Sequence, residues 1–358
     1  PTLAVNATSP AVLTRETAGN ASNAQGDERT ETMSSHRPHY IERGGEISIR
    51  QPLGLRDVTM YSFVLAADRD RLAKLVDRTL NAPANGAVHY VPAGPFVALV
   101  CADVARGQAI EEPDRSKGWM AEKDVAFWIP LWAGKLVGPL FVPERLVFFL
   151  PYVFVDNVAA TTTGREVYGF PKETAVVRFP AAPDEPGVFS VDTLIIREYG
   201  PESCGEIARV IDIEPVEPEE APCEPGAWAD LEAGIGALGA RLKRLLHSDA
   251  VEDAAGVAFE AFRKALEPGA RLVFLKQFRD AVDPTLACYQ AIIEAPAVVD
   301  SVREGGWLPK HRVRVAPADS HPIVEELGLS GAECETLLCS WLRFDFTMDR
   351  GITIWRAE

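Results

Sequence analysis

The sequence predicts a mainly β fold with helices (α+β), and three observations carry that expectation. Short runs rich in β-branched and aromatic residues recur along the chain. Few segments between them have the spacing of a crossover helix, which favours antiparallel strands over repeated βαβ units. The chain is 358 residues long and 47 % hydrophobic, enough apolar material for a sizeable core.

In chain order, residues 1–45 are rich in Ala, Thr, Ser and Asn and have little apolar periodicity. Such a segment buries too little to offset its ordering entropy, so a flexible extension is expected there. The run Met60–Leu65 is β-prone and leads to Asp68, a candidate N-cap. Leu72, Leu75, Val76 and Leu80 follow at helical spacing. Phe96–Val100, Val125–Leu131 and the aromatic-rich Leu146–Val155 are further strand candidates. So are Arg178–Phe179, Val188–Ile196, Leu272–Lys276, Ala287–Ile293 and Phe344–Trp355. Residues 212–267 differ: an acidic, proline-punctuated linker precedes two helical patterns, Trp228–Leu246 and Ala255–Leu266. These are expected to form a helical insertion in a domain spanning 46–358.

The charge balance excludes some partners. With 52 acidic against 36 basic residues, the net charge of −16 disfavours nucleic acid and anionic membrane surfaces. No apolar stretch is long enough for a spanning helix, and the first residues lack a secretory signal, so a cytoplasmic protein is expected. Six cysteines are thinly spread, without CxxC, and the six histidines lack HxH or HExxH pairing, so reduced thiols and no metal are expected. Cys334 and Cys339 are read as core residues.

The informative stretch runs Phe154-Val155-Asp156-Asn157, then Gly164-Arg165-Glu166-Val167-Tyr168-Gly169-Phe170-Pro171-Lys172-Glu173. An apolar strand enters a loop holding two glycines, a proline and one lysine. The glycines permit close backbone approach or positive φ, and Pro171 stiffens the approach to Lys172.

Asp156-Asn157, Gly164-Arg165-Glu166 and Phe170-Pro171-Lys172 resemble the signature of the acetoacetate decarboxylase-like family. The resemblance extends over about residues 50 to 358, with 212–267 as an insertion, and takes His311–Leu327 and Phe344–Trp355 for the family's C-terminal strands. It implies an antiparallel β cone or barrel, a homo-oligomer, no cofactor, and Lys172 as a Schiff-base nucleophile. A free lysine has a pKa of about 10.4, leaving roughly 0.04 % neutral amine at pH 7. The amine therefore needs its pKa lowered, and acetoacetate decarboxylase is itself the standard illustration of that activation.

The resemblance also implies an acidic residue six positions before a strand proline. Aligned on Pro130 this is Asp124, with Glu122 on the same strand face; both are candidate acid/base groups. Tyr168 stands where family pockets present a side chain to substrate, and Phe127, Phe154 and Phe170 are available to bury Lys172. Arg165 is a candidate carboxylate ligand, against the alternative of a structural ion pair with Glu166. Two positions depart from the pattern. Glu173 stands where a second lysine is usual, and alternation along extended chain would turn it away from Lys172. The expected arginine of the first strand is replaced by Val58, with Arg56 only nearby. The resulting expectation is a carbon–carbon lyase acting on a small-molecule oxo acid or ketone, by decarboxylation of a β-keto acid. Schiff-base aldol or dehydratase chemistry is the alternative, and a binding or scaffold protein that keeps the fold is the rival class.

Overall fold

The computed structural model of the protein describes residues 38–45, 47–180, 182–183, 185, 187–216, 236 and 269–357. The chain divides into two units, Pro1–Gly44 and Gly45–Glu358. Of the first, residues 38–44 are exposed and carry neither helix nor strand.

Strands β1 (Leu53–Ala66), β2 (His89–Pro92), β3 (Phe96–Ala109), β4 (Met120–Val137) and β5 (Leu140–Val155) make up the first half. Next come β6 (Lys172–Arg178), β7 (Phe189–Ile195), β8 (Glu206–Pro215), β9 (Gly269–Arg279) and β10 (Ala287–Trp307). The chain ends with β11 (His311–Val315), β12 (Glu333–Glu335), β13 (Leu338–Met348) and β14 (Ile352–Arg356). Seven of them form a closed ring, β5-β9-β10-β13-β1-β3-β4, which returns to β5 through the β4–β5 pairing. Closure leaves these strands no free edge within the ring. The barrel is mixed: β5 and β9 run parallel, and the other neighbours antiparallel. A parallel contact of β5 with β6 leads into a second run of strands, β6-β7-β8-β11-β12.

Strand alternation divides the apolar residues into two cores. On β4, Val125, Phe127, Ile129 and Leu131 point out of the barrel, as Tyr61, Phe63 and Leu65 do on β1. They pack against Phe189 and Val191 of β7, Ile211 and Ile213 of β8, and the helix that starts at Arg69. Asp68 caps that helix as its sequence implies, accepting from Arg71 N at 2.9 Å. Residues of opposite parity, among them Val58, Ala126 and Phe344, face the barrel interior.

Three expectations need correction. Residues 212–215 belong to β8, because buried Ile213 pairs with β7 and β11, so strand continues past the expected start of the insertion. The rest of the insertion, including both helical patterns, lies outside the described residues except for Val216 and Gly236. Ile323–Leu327 is a short helix that buries Ile323 and Leu327, whereas a strand was expected. The loop after β5 is helical: Val158–Thr163 forms a turn of helix and Gly164–Tyr168 a π turn. Among the described residues no helix is long and apolar enough to cross a membrane.

Candidate active site

Lys172 opens β6, and its side chain enters a cavity of about 370 Å³ inside the barrel. The residue is buried, at 7 % exposure. Its Nζ lies 3.5 Å from Asp124 Oδ2 and 5.3 Å from the Phe170 ring centre. The Asp124 contact is loose for an ion pair, since charge-assisted N–H···O bonds are usually about 2.7–2.9 Å. Glu122 and Asp124 are two residues apart on β4, so the period of two puts both on the interior face. The other Asp124 oxygen, Oδ1, is buried with no hydrogen-bond partner among the described residues.

The Asp156-Asn157 pair fixes this stretch of β4. Lys123 N donates to Asp156 Oδ1 (2.7 Å) and Asn157 Nδ2 donates to the Ala121 carbonyl (2.8 Å). The backbone on either side of Glu122 is thereby pinned to the end of β5. Asn157 also caps the helix Val158–Thr163, accepting from Ala160 N at 3.0 Å. That helix delivers Gly164, whose missing side chain leaves room for the lysine stem: a Cβ there would lie 2.8 Å from Lys172 Cδ. Gly169 ends the π turn at φ +88°, a left-handed conformation that favours glycine.

Burial pushes the Lys172 ammonium down, but the nearby charges of Asp124 and Glu122 more than offset this, and the net shift is upward. The expectation of a lysine neutral at rest is therefore corrected. The lysine is buried, yet its amine stays charged because one cation faces two carboxylates. Both carboxyls are raised by burial, against the pull of Lys172. Asp124 and Asp156 add to the rise at Glu122, which is pushed up to about 7. The direction follows from the count: with one cation for two anions in a buried site, one carboxyl holds its proton more tightly.

Tyr168 and Phe170 line the same cavity. The Tyr168 hydroxyl is engaged, donating to the Asp349 carbonyl at 2.9 Å, so its ring forms wall. Two expected substrate contacts are placed elsewhere. Phe127 is on the outward face of β4 and packs against Tyr152, because its odd position opposes that of Asp124. Arg165 points to the backbone, its Nη1 donating to the Lys172 carbonyl at 3.0 Å. Glu173 faces away from the cavity, as alternation implies, and lies 2.9 Å from His321 Nε2. Val58 forms part of the cavity wall, and Arg56 stands outside it on Asp300 and the Phe346 carbonyl.

Sequence reading missed most of the wall, which includes Met60, Trp128, Phe148, Phe344 and Phe346. Parity with Asp124 along β4 was the available signal for Trp128. It also missed the packing of Gly164 on Lys172. Among the described residues, no group of three or more His, Cys, Asp or Glu is arranged to hold a metal.

No family model matches the chain, and no curated protein matches its sequence. In fold it is similar to acetoacetate decarboxylase from Legionella pneumophila subsp. pneumophila str. Philadelphia 1, with 13 % identity and a TM-score of 0.54. That match covers 90 % of this chain and 94 % of the other. A second acetoacetate decarboxylase structure matches at 15 % identity and a TM-score of 0.52, covering 87 % of this chain and 92 % of that one. The protein thus has an acetoacetate decarboxylase-like fold.

Proposed function

We propose, from that fold and the site inside it, that this protein is a carbon–carbon lyase acting through a Schiff base at Lys172. The observation that most supports the reading is a buried lysine amine beside two carboxylates, Asp124 and Glu122, at the wall of a barrel cavity. Because the amine is charged at rest, it becomes a nucleophile by passing a proton to Asp124. Low polarity around the pair narrows the gap between the ionic and the neutral forms.

The neutral amine adds to a substrate carbonyl carbon. The carbinolamine loses its hydroxyl as water, using the proton that Asp124 holds, and a protonated imine remains. The electron pair of the neighbouring carbon–carbon bond then moves into the imine, giving an enamine. A β-keto acid releases CO₂ in this step. A β-hydroxy ketone releases an aldehyde, its hydroxyl proton passing to Asp124. Glu122, titrating near neutrality, protonates the enamine carbon, and water returns the product carbonyl and the Lys172 amine.

Decarboxylation is the first activity that the fold brings to mind. One observation favours the aldol and dehydratase alternatives: among the described residues no arginine lines the cavity, and Val58 forms part of its wall. A substrate carboxylate would meet Asp124 and Glu122 without a guanidinium to pair with. Incubation with carbonyl compounds and borohydride is the test. The expected result is an adduct of one substrate mass in the wild type and none in Lys172→Ala. Absence of an adduct across ketones, aldehydes and oxo acids would overturn the proposal.

A further inference from the structure

We infer that the carbonyl compound this site takes is uncharged and carries a long or bulky apolar group. The inference rests on the Schiff-base reading for where the carbonyl sits, and on the cavity for everything else. Three observations carry it.

The first is size. A volume of about 370 Å³ would hold on the order of a dozen waters at liquid density, and is in the range that accepts drug-sized ligands. Residues lining it on β4 run from Met120 to Pro130, about 33 Å of strand. A short oxo acid would occupy little of this space and leave apolar wall uncovered.

The second is the character of the wall. Among the described residues, Glu122, Asp124 and Lys172 are the only charged side chains that line it. Beyond them the wall is mostly apolar, with Met60, Trp128, Phe148, Phe344 and Phe346 as its bulkiest members and Gln108 and Thr163 among its few uncharged polar ones. The pairing register sets Ser62 opposite Ser340 in this apolar stretch, and both line the cavity. The polar groups that position a ligand are thus few, as in sites for largely apolar molecules.

The third is charge and hydrogen bonding. Lys172 has Asp124 at 3.5 Å, and two carboxyls share this one cation, so a further anion would enter unpaired. Among the described residues, Asp124 Oδ1 is a buried acceptor without a donor. A hydroxyl on the substrate itself, as in a β-hydroxy ketone, satisfies it; a substrate carboxylate brings no donor to it.

The test is a matched series of neutral methyl ketones (acetone, 2-pentanone, 2-heptanone, 2-nonanone) alongside pyruvate and acetoacetate. Two readouts are taken: half-maximal borohydride labelling of the wild type, and noncovalent binding to Lys172→Ala followed by tryptophan fluorescence. Labelling is expected to tighten along the ketones by up to about fourfold per methylene, with at least a 100-fold span and the oxo acids weakest. Binding to Lys172→Ala should follow the same order. Ala98→Leu, which narrows the cavity opposite Trp128, should weaken the longest ketone and spare acetone. Labelling that is flat with chain length, or best for the oxo acids, would overturn the inference and leave the lysine chemistry standing. Graded binding to Lys172→Ala without any wild-type adduct would support the inference and remove the lysine chemistry.

Discussion

Gly164 and Lys172 are packed so closely that the lysine stem occupies the space a side chain at 164 would fill. A Cβ there would meet Lys172 Cδ at 2.8 Å and Cε at 3.1 Å. The backbone at Gly164 is ordinary helix, so the position requires glycine for this approach and not for its own conformation. In Gly164→Ala the stem must swing aside and carry Nζ away from Asp124. Displacements of about 1 Å can slow a positioned reaction roughly 100-fold. The expected result is a loss of that order in adduct-formation rate, with near-normal thermal unfolding, measured by quenched trapping and calorimetry.

Asp124 has two effects on Lys172 that one substitution separates. Its charge opposes the downward push of burial on the ammonium, and it is the proposed proton acceptor. In Asp124→Asn the lysine pKa should fall, yet Schiff-base formation at pH 7 should slow by at least tenfold. The pH dependence of lysine modification, resolved by peptide mapping, checks the first outcome; trapping rates check the second. A fall in pKa accompanied by faster trapping would show that Asp124 hinders the amine and takes no part in activating it.

Glu122 makes stability depend on pH. Its folded-state value, about 7, lies above the ordinary 4.5, so folding takes up a proton between those values. Its contribution is fully present below about pH 4.5 and is lost as pH rises through about 7. Asp124, also raised by burial, acts with the same sign. Glu122→Gln should flatten the decline in unfolding free energy across that window, measured by urea titration at several pH values.

Asn157 holds two backbone groups, Ala160 N and the Ala121 carbonyl. Asn157→Ala should destabilise the fold by about 1 kcal/mol for the lost cap, with more for the unpaired carbonyl. Trapping should slow as well, because the released stretch of β4 carries both carboxyls. Denaturant unfolding and trapping on the same preparations measure the two effects.

The sequence made the local parts of this site legible. The motif around Lys172 pointed to the lysine and to the strand-end pair Asp156-Asn157, and the period of two placed Glu122 beside Asp124 and turned Glu173 away. The same rule excludes Phe127, three positions from Asp124 and hence on the other face. The helix at Val158–Thr163 was missed because a threonine-rich stretch is a weak helix former, although Asn157 supplied the capping signal. Other features depend on contacts distant in sequence. Barrel closure brings Phe344 and Phe346 of β13 round to the cavity that Lys172 enters, and Glu173 meets a histidine 148 residues away. The sign of the lysine shift was missed for a related reason: burial was foreseen, but the combined charge of Asp124 and Glu122 was not set against it.

The competing lysine is Lys276. Its pKa is lowered, chiefly by burial, but its Nζ donates to the Val167 carbonyl at 3.1 Å and it does not line the cavity. A low pKa alone would select Lys276; contact with a proton acceptor at the cavity wall selects Lys172. Peptide mapping of the borohydride-trapped protein at neutral pH decides between them. The substrate-derived mass is expected on the peptide containing Lys172, and an adduct on Lys276 with Lys172 unmodified would contradict a Schiff base at Lys172.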